Sequence, residues 1–134
     1  MSEQRNDHTY RAALDEAERM LGFRLERFLE TASSEPSNAA DFKRIATIQA
    51  FADAWPRTEY LDVRTRALVS VTIAATLGVL EPLRGQLRIA RNVGVGKEEI
   101  VEAFIQVAAY AGVARAFEGY GVAAEVFAEE DDDD

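Results

Sequence analysis

Cysteine is absent from this sequence of 134 residues, and histidine occurs only once, at His8. The absence of cysteine excludes disulfide bonds, thiolate metal ligands, a cysteine nucleophile and dithiol redox chemistry. One histidine without cysteine cannot assemble the ligand set of a zinc or redox-metal site, and no acidic loop pattern indicates a carboxylate site for magnesium or calcium. We therefore expect no bound metal.

Long hydrophobic runs are also lacking. The uncharged apolar segment Leu68–Leu80 is 13 residues long, whereas a membrane-spanning helix needs roughly 20. The N-terminal segment is polar and lacks the apolar core of a signal peptide. We expect a soluble, cytoplasmic protein that does not enter a membrane.

The acidic charge of the chain is unevenly distributed. The net charge is −9, and the last six residues, EEDDDD at positions 129–134, contribute six of those charges. We expect this end to be a solvated, disordered tail, with binding to a basic partner as the alternative. Nucleic-acid binding is disfavoured, because a phosphate backbone is bound by a net basic surface.

Hydrophobic residues recur with helical spacing along the chain, and no segment alternates convincingly as a β-strand does. The sequence predicts an all-α, single-domain bundle of about six helices. Thr9 and Asp62 are suitable N-caps for the first and third helices, and Pro56 ends the second. The third helix is apolar on nearly all sides, so we expect it to be the central buried helix.

The boundaries of these elements follow from the caps and loop residues. The predicted helices cover residues 10–30, 39–54, 62–77, 82–94, 97–112 and 113–128. We divide the chain into an N-terminal helix and linker (1–36), a helical domain (37–128) and the acidic tail (129–134).

The fourth predicted helix carries an amide where a core residue is expected. Gly94 suits a left-handed C-terminal cap for this helix. Stepping by about 100° per residue places Leu83, Leu87 and Ala90 on one stripe, and Gln86 falls inside it. A buried amide needs hydrogen-bond partners, so Gln86 is either a structural cross-helix contact or a functional group.

The fifth predicted helix carries a polar row beside its apolar face. Glu102, Gln106 and Tyr110 are spaced four residues apart, so they share one flank of the helix. A carboxylate, an amide and a phenol in a row are groups that a small polar pocket offers a substrate. The alternative interpretation is a boundary stripe between core and solvent.

Basic residues form a second constellation. Arg84, Arg88 and Arg91 share one side of the fourth helix, while Arg64 and Arg66 lie at the start of the third. The planar guanidinium group suits a carboxylate, so one of these side chains could hold an acidic substrate. The alternative is that they keep their helices soluble or pair with acidic side chains.

The block from about Ala50 to Phe127 resembles the carboxymuconolactone decarboxylase family in the order and spacing of its motifs. These motifs are the Trp55 loop, D-x-R-T-R-x-L-V at 62–69, the helix ending in Asn-Val-Gly at 92–94, G-K-E-E-I-x-E at 96–102 and Q-x-x-x-Y-A-G at 106–112. The resemblance implies an alkylhydroperoxidase D-like all-α bundle. It also implies homo-oligomers, commonly trimers or hexamers.

The family has two branches with different chemistry. Proteins resembling alkylhydroperoxidase D reduce peroxides with a C-x-x-C pair, a glutamate and a histidine. This chain has no cysteine and has Ala67 at the position matching that glutamate, so dithiol peroxidase activity is excluded. The other branch decarboxylates 4-carboxymuconolactone in aromatic catabolism without metal or cofactor. Its members usually carry histidine where this sequence has Gln86.

The resemblance therefore implies a cofactor-independent decarboxylase-like enzyme acting on a small carboxylated lactone or keto acid. Arg66 or Arg88 would hold the carboxylate. Gln86 would hydrogen-bond the developing oxyanion, and Tyr110 or Glu102 would return a proton to carbon. The candidate residues are catalytic Gln86, Tyr110 and Glu102 and substrate-binding Trp55, Arg66, Arg88 and Gln106. Because glutamine cannot shuttle a proton, the alternative is a non-catalytic, ring-forming member that binds a small molecule or a protein.

Overall fold

A computed structural model describes residues 2–132 of the chain, with side chains described for residues 8–26 and 29–132. Within that range the chain is all-helical and contains no β-strand, which confirms the predicted fold class. The α-helices are α1 (Ser2–Leu21), α2 (Ala39–Ile48), α3 (Val63–Leu77), α4 (Leu80–Asn92), α5 (Lys97–Ala111) and α6 (Val113–Asp132). The structure divides into two compact units, Met1–Leu61 and Asp62–Asp134. The predicted boundary after residue 36 falls inside the first of them.

The first unit begins with α1, whose bounds differ from the prediction at both ends. The helix begins at Ser2, so Thr9 lies inside it and is not its N-cap. It ends at Leu21 because Gly22 has a φ of 87°, a left-handed conformation that glycine adopts without strain. A short 3-10 helix, Leu25–Phe28, replaces the rest of the predicted segment.

The second predicted helix is divided into two kinds of helix. α2 passes at Ile48 into a π-helical segment, Gln49–Ala54, in which hydrogen bonds span five residues. The backbone N–H of Trp55 donates to the carbonyl of Ala50 at 3.0 Å, which continues that pattern to the last residue before Pro56. The predicted range 39–54 is confirmed.

The second unit contains α3 to α6, and three of its helix boundaries follow the predicted caps. The Asp62 carboxylate accepts a hydrogen bond from the backbone N–H of Thr65 at 2.8 Å, which confirms the N-cap of α3. Gly94 has a φ of 94° after α4, and Gly112 follows the end of α5. α3 packs against α4, α5 and α6, and α6 also packs against α4 and α5.

The core of the second unit is built from the buried apolar faces of α3, α4, α5 and α6. Leu83, Leu87 and Ala90 of α4 are fully buried, as the helical spacing predicts. Ile100 and Phe104 of α5 pack into the same unit and are also buried. Helices such as α4 and α5 are stabilised mainly by the burial of one apolar face and less by the intrinsic helix propensity of their residues.

α3 is central to the second unit, as predicted, because it packs against α4, α5 and α6, but it is not buried on all sides. Its inner face is buried through small residues, including Ala67, Ala74 and Ala75. On its outer face, however, Ile73 and Leu77 are 54% and 63% exposed. The sequence is apolar on both faces, but within the structure only one face is covered.

The predicted end of the last helix is also corrected. α6 continues to Asp132, so residues 129–132 are helical rather than disordered. Glu129 and Glu130 form ion pairs with α4, which explains why this acidic segment stays in the helix. The rest of the predicted tail, residues 133–134, lies outside the described residues. Among the helices of residues 2–132, none has the length and apolar character needed to cross a membrane.

Candidate functional site

The buried stripe of α4 has one polar member, as its sequence predicts. Gln86 lies at the edge of the stripe that contains Leu83, Leu87 and Ala90 and is itself half-buried. Its side-chain Oε1 is buried and has no hydrogen-bond partner among the described residues. A buried carbonyl oxygen without a donor is costly, and such groups in native proteins call for an explanation. The Oε1 atom of Gln86 therefore makes no structural hydrogen bond to another helix, which was one of the two interpretations of this residue.

Arg66 brings a cation to the helix that packs directly against α4. It lies on α3 one turn after the Asp62 cap, and its side chain is half-buried with a buried Nε. α3 and α4 are in extensive contact in the second unit. These adjacent helices therefore carry a guanidinium and an amide that each have a polar atom removed from water.

The other predicted arginines lie on a different side of α4. Arg84 contacts Glu125 of α6 at 2.6 Å, and Arg88 contacts Glu129 at 3.1 Å. Both pairs are offset by the same number of residues, so α4 and α6 run side by side in the same direction. Gln86 and Arg88 are about 200° apart around the helix axis, nearly on opposite sides. The structure does not bring those two candidates to one face.

Arg91 forms a third ion pair between α4 and α6, in addition to those of Arg84 and Arg88. Its Nε and Nη2 donate to the two carboxylate oxygens of Glu130 at 2.8 and 3.0 Å, and its Nη1 donates to the Val95 carbonyl at 2.7 Å. The hydrogen bond that Arg91 donates to Glu130 raises the pKa of Arg91, and the one that Arg84 donates to Glu125 raises the pKa of Arg84. These acidic partners were not predicted, although Glu125 and Glu129 repeat the four-residue spacing of Arg84 and Arg88.

The predicted polar row lies on an outer flank of α5. Glu102 and Gln106 are exposed, and Tyr110 is 86% exposed. Within residues 8–26 and 29–132, no hydrogen bond or ion pair joins any of the three to Gln86. The spacing correctly places them on one flank, but the flank is open to water.

Trp55 belongs to the first unit, whereas the other six candidates belong to the second. It is 6% exposed and follows the π-helical segment. Its ring is therefore part of a buried region, which a packing role explains as well as a binding role does.

Two of the cavities among the described residues contain no predicted site residue. A groove of about 210 Å³ between α5 and α6 is apolar, with Phe104, Ile105, Phe117 and Tyr120 among its lining residues. A cavity of about 250 Å³ in the first unit is lined by polar and charged side chains, including Tyr10, Arg24 and Glu26. In the described part of the chain, no group of three or more histidine, aspartate or glutamate side chains is placed to hold a metal ion.

Comparisons with known proteins agree with this set of helices. Residues 40–125, from the start of α2 to most of α6, match the carboxymuconolactone decarboxylase family. The 4-carboxymuconolactone decarboxylase of Acinetobacter baylyi is 33% identical over 87 residues, which are 65% of this chain and 64% of that protein. The match thus spans slightly less than two thirds of the relative's length. All seven predicted site residues lie inside the family match.

Proposed function

The chain belongs to the carboxymuconolactone decarboxylase family, and from that membership we propose that it is a cofactor-independent carboxy-lyase of a small carboxylated lactone or keto acid. The observation that carries the proposal is the buried, unpartnered Oε1 of Gln86 on α4, next to the helix that carries Arg66. An arginine and an amide with polar atoms out of water suit an anionic substrate with a carbonyl group. The lack of cysteine supports a cytoplasmic location.

Arg66 is the better of the two predicted carboxylate ligands. Its Nε is buried on the helix that packs against α4, whereas Arg88 lies on the side of α4 nearly opposite Gln86. A guanidinium can hold a carboxylate through two parallel hydrogen bonds and thereby fix its rotation relative to the rest of the substrate. Holding the carboxylate out of the carbonyl plane aligns the breaking C–C bond with the π-system that receives its electrons.

Gln86 would stabilise the substrate carbonyl, which receives the electrons that the carboxylate releases. When carbon dioxide leaves, the bonding electrons move toward the substrate carbonyl, whose oxygen becomes negative. The Gln86 amide turned by 180° presents its N–H₂ group where Oε1 now lies, and this group can donate to that oxygen. In the other orientation, Oε1 accepts a hydrogen bond from a substrate hydroxyl. The amide stabilises charge without exchanging a proton.

Reprotonation of carbon completes the reaction. Tyr110 and Glu102 are our predicted donors, and their position on the outer flank of α5 leaves both in contact with water. Solvent water reaches that position and can supply the proton in place of either side chain. We therefore propose that this step is less dependent on one side chain than carboxylate binding is.

We also propose that the chain works as a homo-oligomer, a trimer or a hexamer. Large hydrophobic side chains are exposed on three helices of the second unit, including Leu77 (63%), Ile105 (57%) and Phe117 (73%). Exposed large hydrophobic side chains mark interaction sites in soluble proteins when they lie together.

A second candidate function is a non-catalytic member that binds a small molecule or a protein. The exposure of Tyr110, together with glutamine at the position usually held by histidine, favours this alternative. It predicts binding at Arg66 and Gln86 without turnover.

The test is steady-state turnover of 4-carboxymuconolactone, followed by lactone absorbance and carbon dioxide release. Arg66→Gln should lower kcat/KM roughly ten- to a hundredfold through the lost charged hydrogen bonds. Gln86→Met should lower kcat about a hundredfold or more. Arg19→Gln removes a surface arginine of α1 and should leave both constants unchanged. Turnover that is equal in all four proteins would contradict the proposed site, and binding without turnover would favour the second candidate.

A further inference from the structure

The polar cavity of the first unit lies on one flank of α1. Tyr10 and Leu14 are four residues apart, as are Arg11 and Asp15, so these side chains form two neighbouring rows on the helix, and all four line the cavity. Leu14 is 4% exposed and gives the cavity its apolar part. The volume of about 250 Å³ is just below that of pockets for drug-sized ligands, so it suits a smaller molecule.

The segment that follows α1 closes the other side of this cavity. The left-handed backbone at Gly22 turns the chain, and the 3-10 helix Leu25–Phe28 packs against α1. Arg24 donates from Nη1 to the Glu18 carboxylate of α1 at 2.7 Å and from Nη2 to Glu26 at 3.0 Å. These hydrogen bonds hold the second wall in place, so Arg24 and Glu26 serve the structure of the cavity.

Arg11 and Asp15 are the charged lining groups that remain available to a ligand. Among the residues whose side chains are described, Arg11 has no hydrogen bond or ion pair. Asp15 approaches Arg24 only to 4.0 Å, which is beyond hydrogen-bond distance. Elsewhere an arginine pairs with an acid one turn away on its own helix, as Arg44 does with Asp41 at 3.4 Å. Arg11 and Asp15 do not pair in this way, and both face the same cavity.

We propose that this cavity binds an α-amino acid with an apolar side chain, whose carboxylate is held by Arg11 and whose ammonium group is held by Asp15. An α-amino acid carries both charged groups on one carbon atom, so it can bridge two side chains of opposite charge that lie one helical turn apart. The guanidinium binds a carboxylate through two parallel hydrogen bonds, and the ammonium group has three donors for the aspartate. The apolar side chain of the ligand packs on Leu14, which removes apolar surface from water.

The charge balance of the lining favours a ligand that carries both signs. The cavity is lined by two arginines and two acidic residues, so its formal charge is zero. A phosphate or a dicarboxylate would place additional negative charge beside Asp15 and Glu26. A diamine would place positive charge beside Arg11 and Arg24. A zwitterion with no net charge avoids both kinds of repulsion.

Tyr10 adds a neutral hydrogen-bonding group to the cavity. Burial raises the pKa of the Tyr10 phenol and the charge of Glu26 raises it further, against smaller opposing effects of Arg44 and Lys43. The phenol therefore keeps its proton at neutral pH. It can donate a hydrogen bond to the ligand carboxylate beside Arg11.

The test is a titration of the full-length, isotope-labelled protein with L-leucine, followed by backbone amide chemical shifts. We expect saturable shifts at residues 10–15 and 24–26, with a Kd at or below about 1 mM. Isocaproate and isoamylamine are the matched ligands, because they have the leucine side chain but lack its amine and its carboxylate, respectively. Each should bind at least about tenfold more weakly than L-leucine.

Two variants assign the charged groups. Arg11→Gln and Asp15→Asn should each weaken L-leucine binding at least about tenfold. Both side chains are exposed, so the fold should be unchanged, which circular dichroism checks. Arg19→Gln on the same helix and Asp41→Asn on α2 make the same chemical changes outside the cavity and should leave binding unchanged.

The site would be overturned if wild type showed no saturable shifts with L-leucine, or if wild type and Arg11→Gln bound it equally. Isocaproate that bound as tightly as L-leucine would overturn the assignment to an amino acid, since Asp15 would then have no ligand group to hold. The proposal does not rest on the proposed function, because every lining residue belongs to the first unit, whereas Arg66 and Gln86 belong to the second. The titration contains no lactone, so its result stands whether or not the protein is a decarboxylase.

Discussion

Gln86→Met should make the protein more stable while removing its proposed activity. Methionine has nearly the length and flexibility of glutamine but no polar group to desolvate. In the native structure the Oε1 atom of Gln86 is buried without a hydrogen-bond donor, next to the apolar stripe of Leu83, Leu87 and Ala90. The substitution replaces that polar carbonyl with an apolar group, which packs favourably against the apolar stripe.

The size of the effect follows from the burial of that one atom. A buried polar group left without a partner costs about 1–3 kcal/mol. Because the Gln86 side chain as a whole is only half-buried, we expect a gain near the lower end, about 1 kcal/mol. With an m-value of about 2 kcal/mol per molar urea, the unfolding midpoint would rise by about 0.5 M.

The assay is urea unfolding followed by circular dichroism, with all variants at the same protein concentration because association adds to apparent stability. Gln106→Met is the matched control, since it makes the same chemical change at an exposed position of α5 and should change stability by less than about 0.5 kcal/mol. If Gln86→Met destabilised the protein by about 1 kcal/mol or more while Gln106→Met was neutral, the Gln86 carbonyl would have a partner in solution. Gln86 would then be a structural hydrogen-bonding residue and not part of the substrate site.

Three further predictions follow from the second unit. Arg91→Ala should lower the unfolding free energy by about 1 kcal/mol, because it removes the paired hydrogen bonds to Glu130. Urea unfolding measures this loss. In 1 M salt the difference between wild type and Arg91→Ala should be smaller. The Thr65 N–H lowers the pKa of Asp62 in the folded state, so this carboxylate adds stability at neutral pH that is lost as the pH falls through about 4 and below. Asp62→Asn keeps a cap and should flatten the fall in unfolding free energy between pH 5 and 3. An unchanged slope would contradict the assignment of Asp62 as the titrating cap. Gln86→His restores the residue usual in the family and should raise lactone turnover by up to 10²–10⁴-fold with a new pH dependence near neutrality, whereas an unchanged rate would show that proton transfer at this position is not limiting.

Most of the fold of the second unit could be predicted because its signals are local. Asp62 caps α3, and Gly94 and Gly112 follow α4 and α5, where each side chain or its absence acts on the nearest turn. The N-terminal helix was predicted less well. A helical pattern continues through Gly22, and only the left-handed backbone at that residue shows where α1 ends.

The position of a site residue could be predicted only where the geometry of its own helix determines it. The angle of Gln86 on α4 placed it correctly at the edge of the buried stripe. The contact of Arg88 with Glu129 depends on α6 passing beside α4, and the two residues are 41 positions apart. The exposure of α3 has the same origin, because its sequence is apolar on both faces and tertiary packing decides which face is covered.

The most direct test of the proposed site is calorimetric titration with a saturated carboxylated γ-lactone, which keeps the carboxylate but lacks the conjugated system needed to lose carbon dioxide. We expect about one molecule to bind per chain. Arg66→Gln should weaken binding at least tenfold, and Arg19→Gln should leave it unchanged. Equal affinity for wild type and Arg66→Gln, or no binding to wild type, would contradict the assignment of Arg66 and Gln86 as the substrate site.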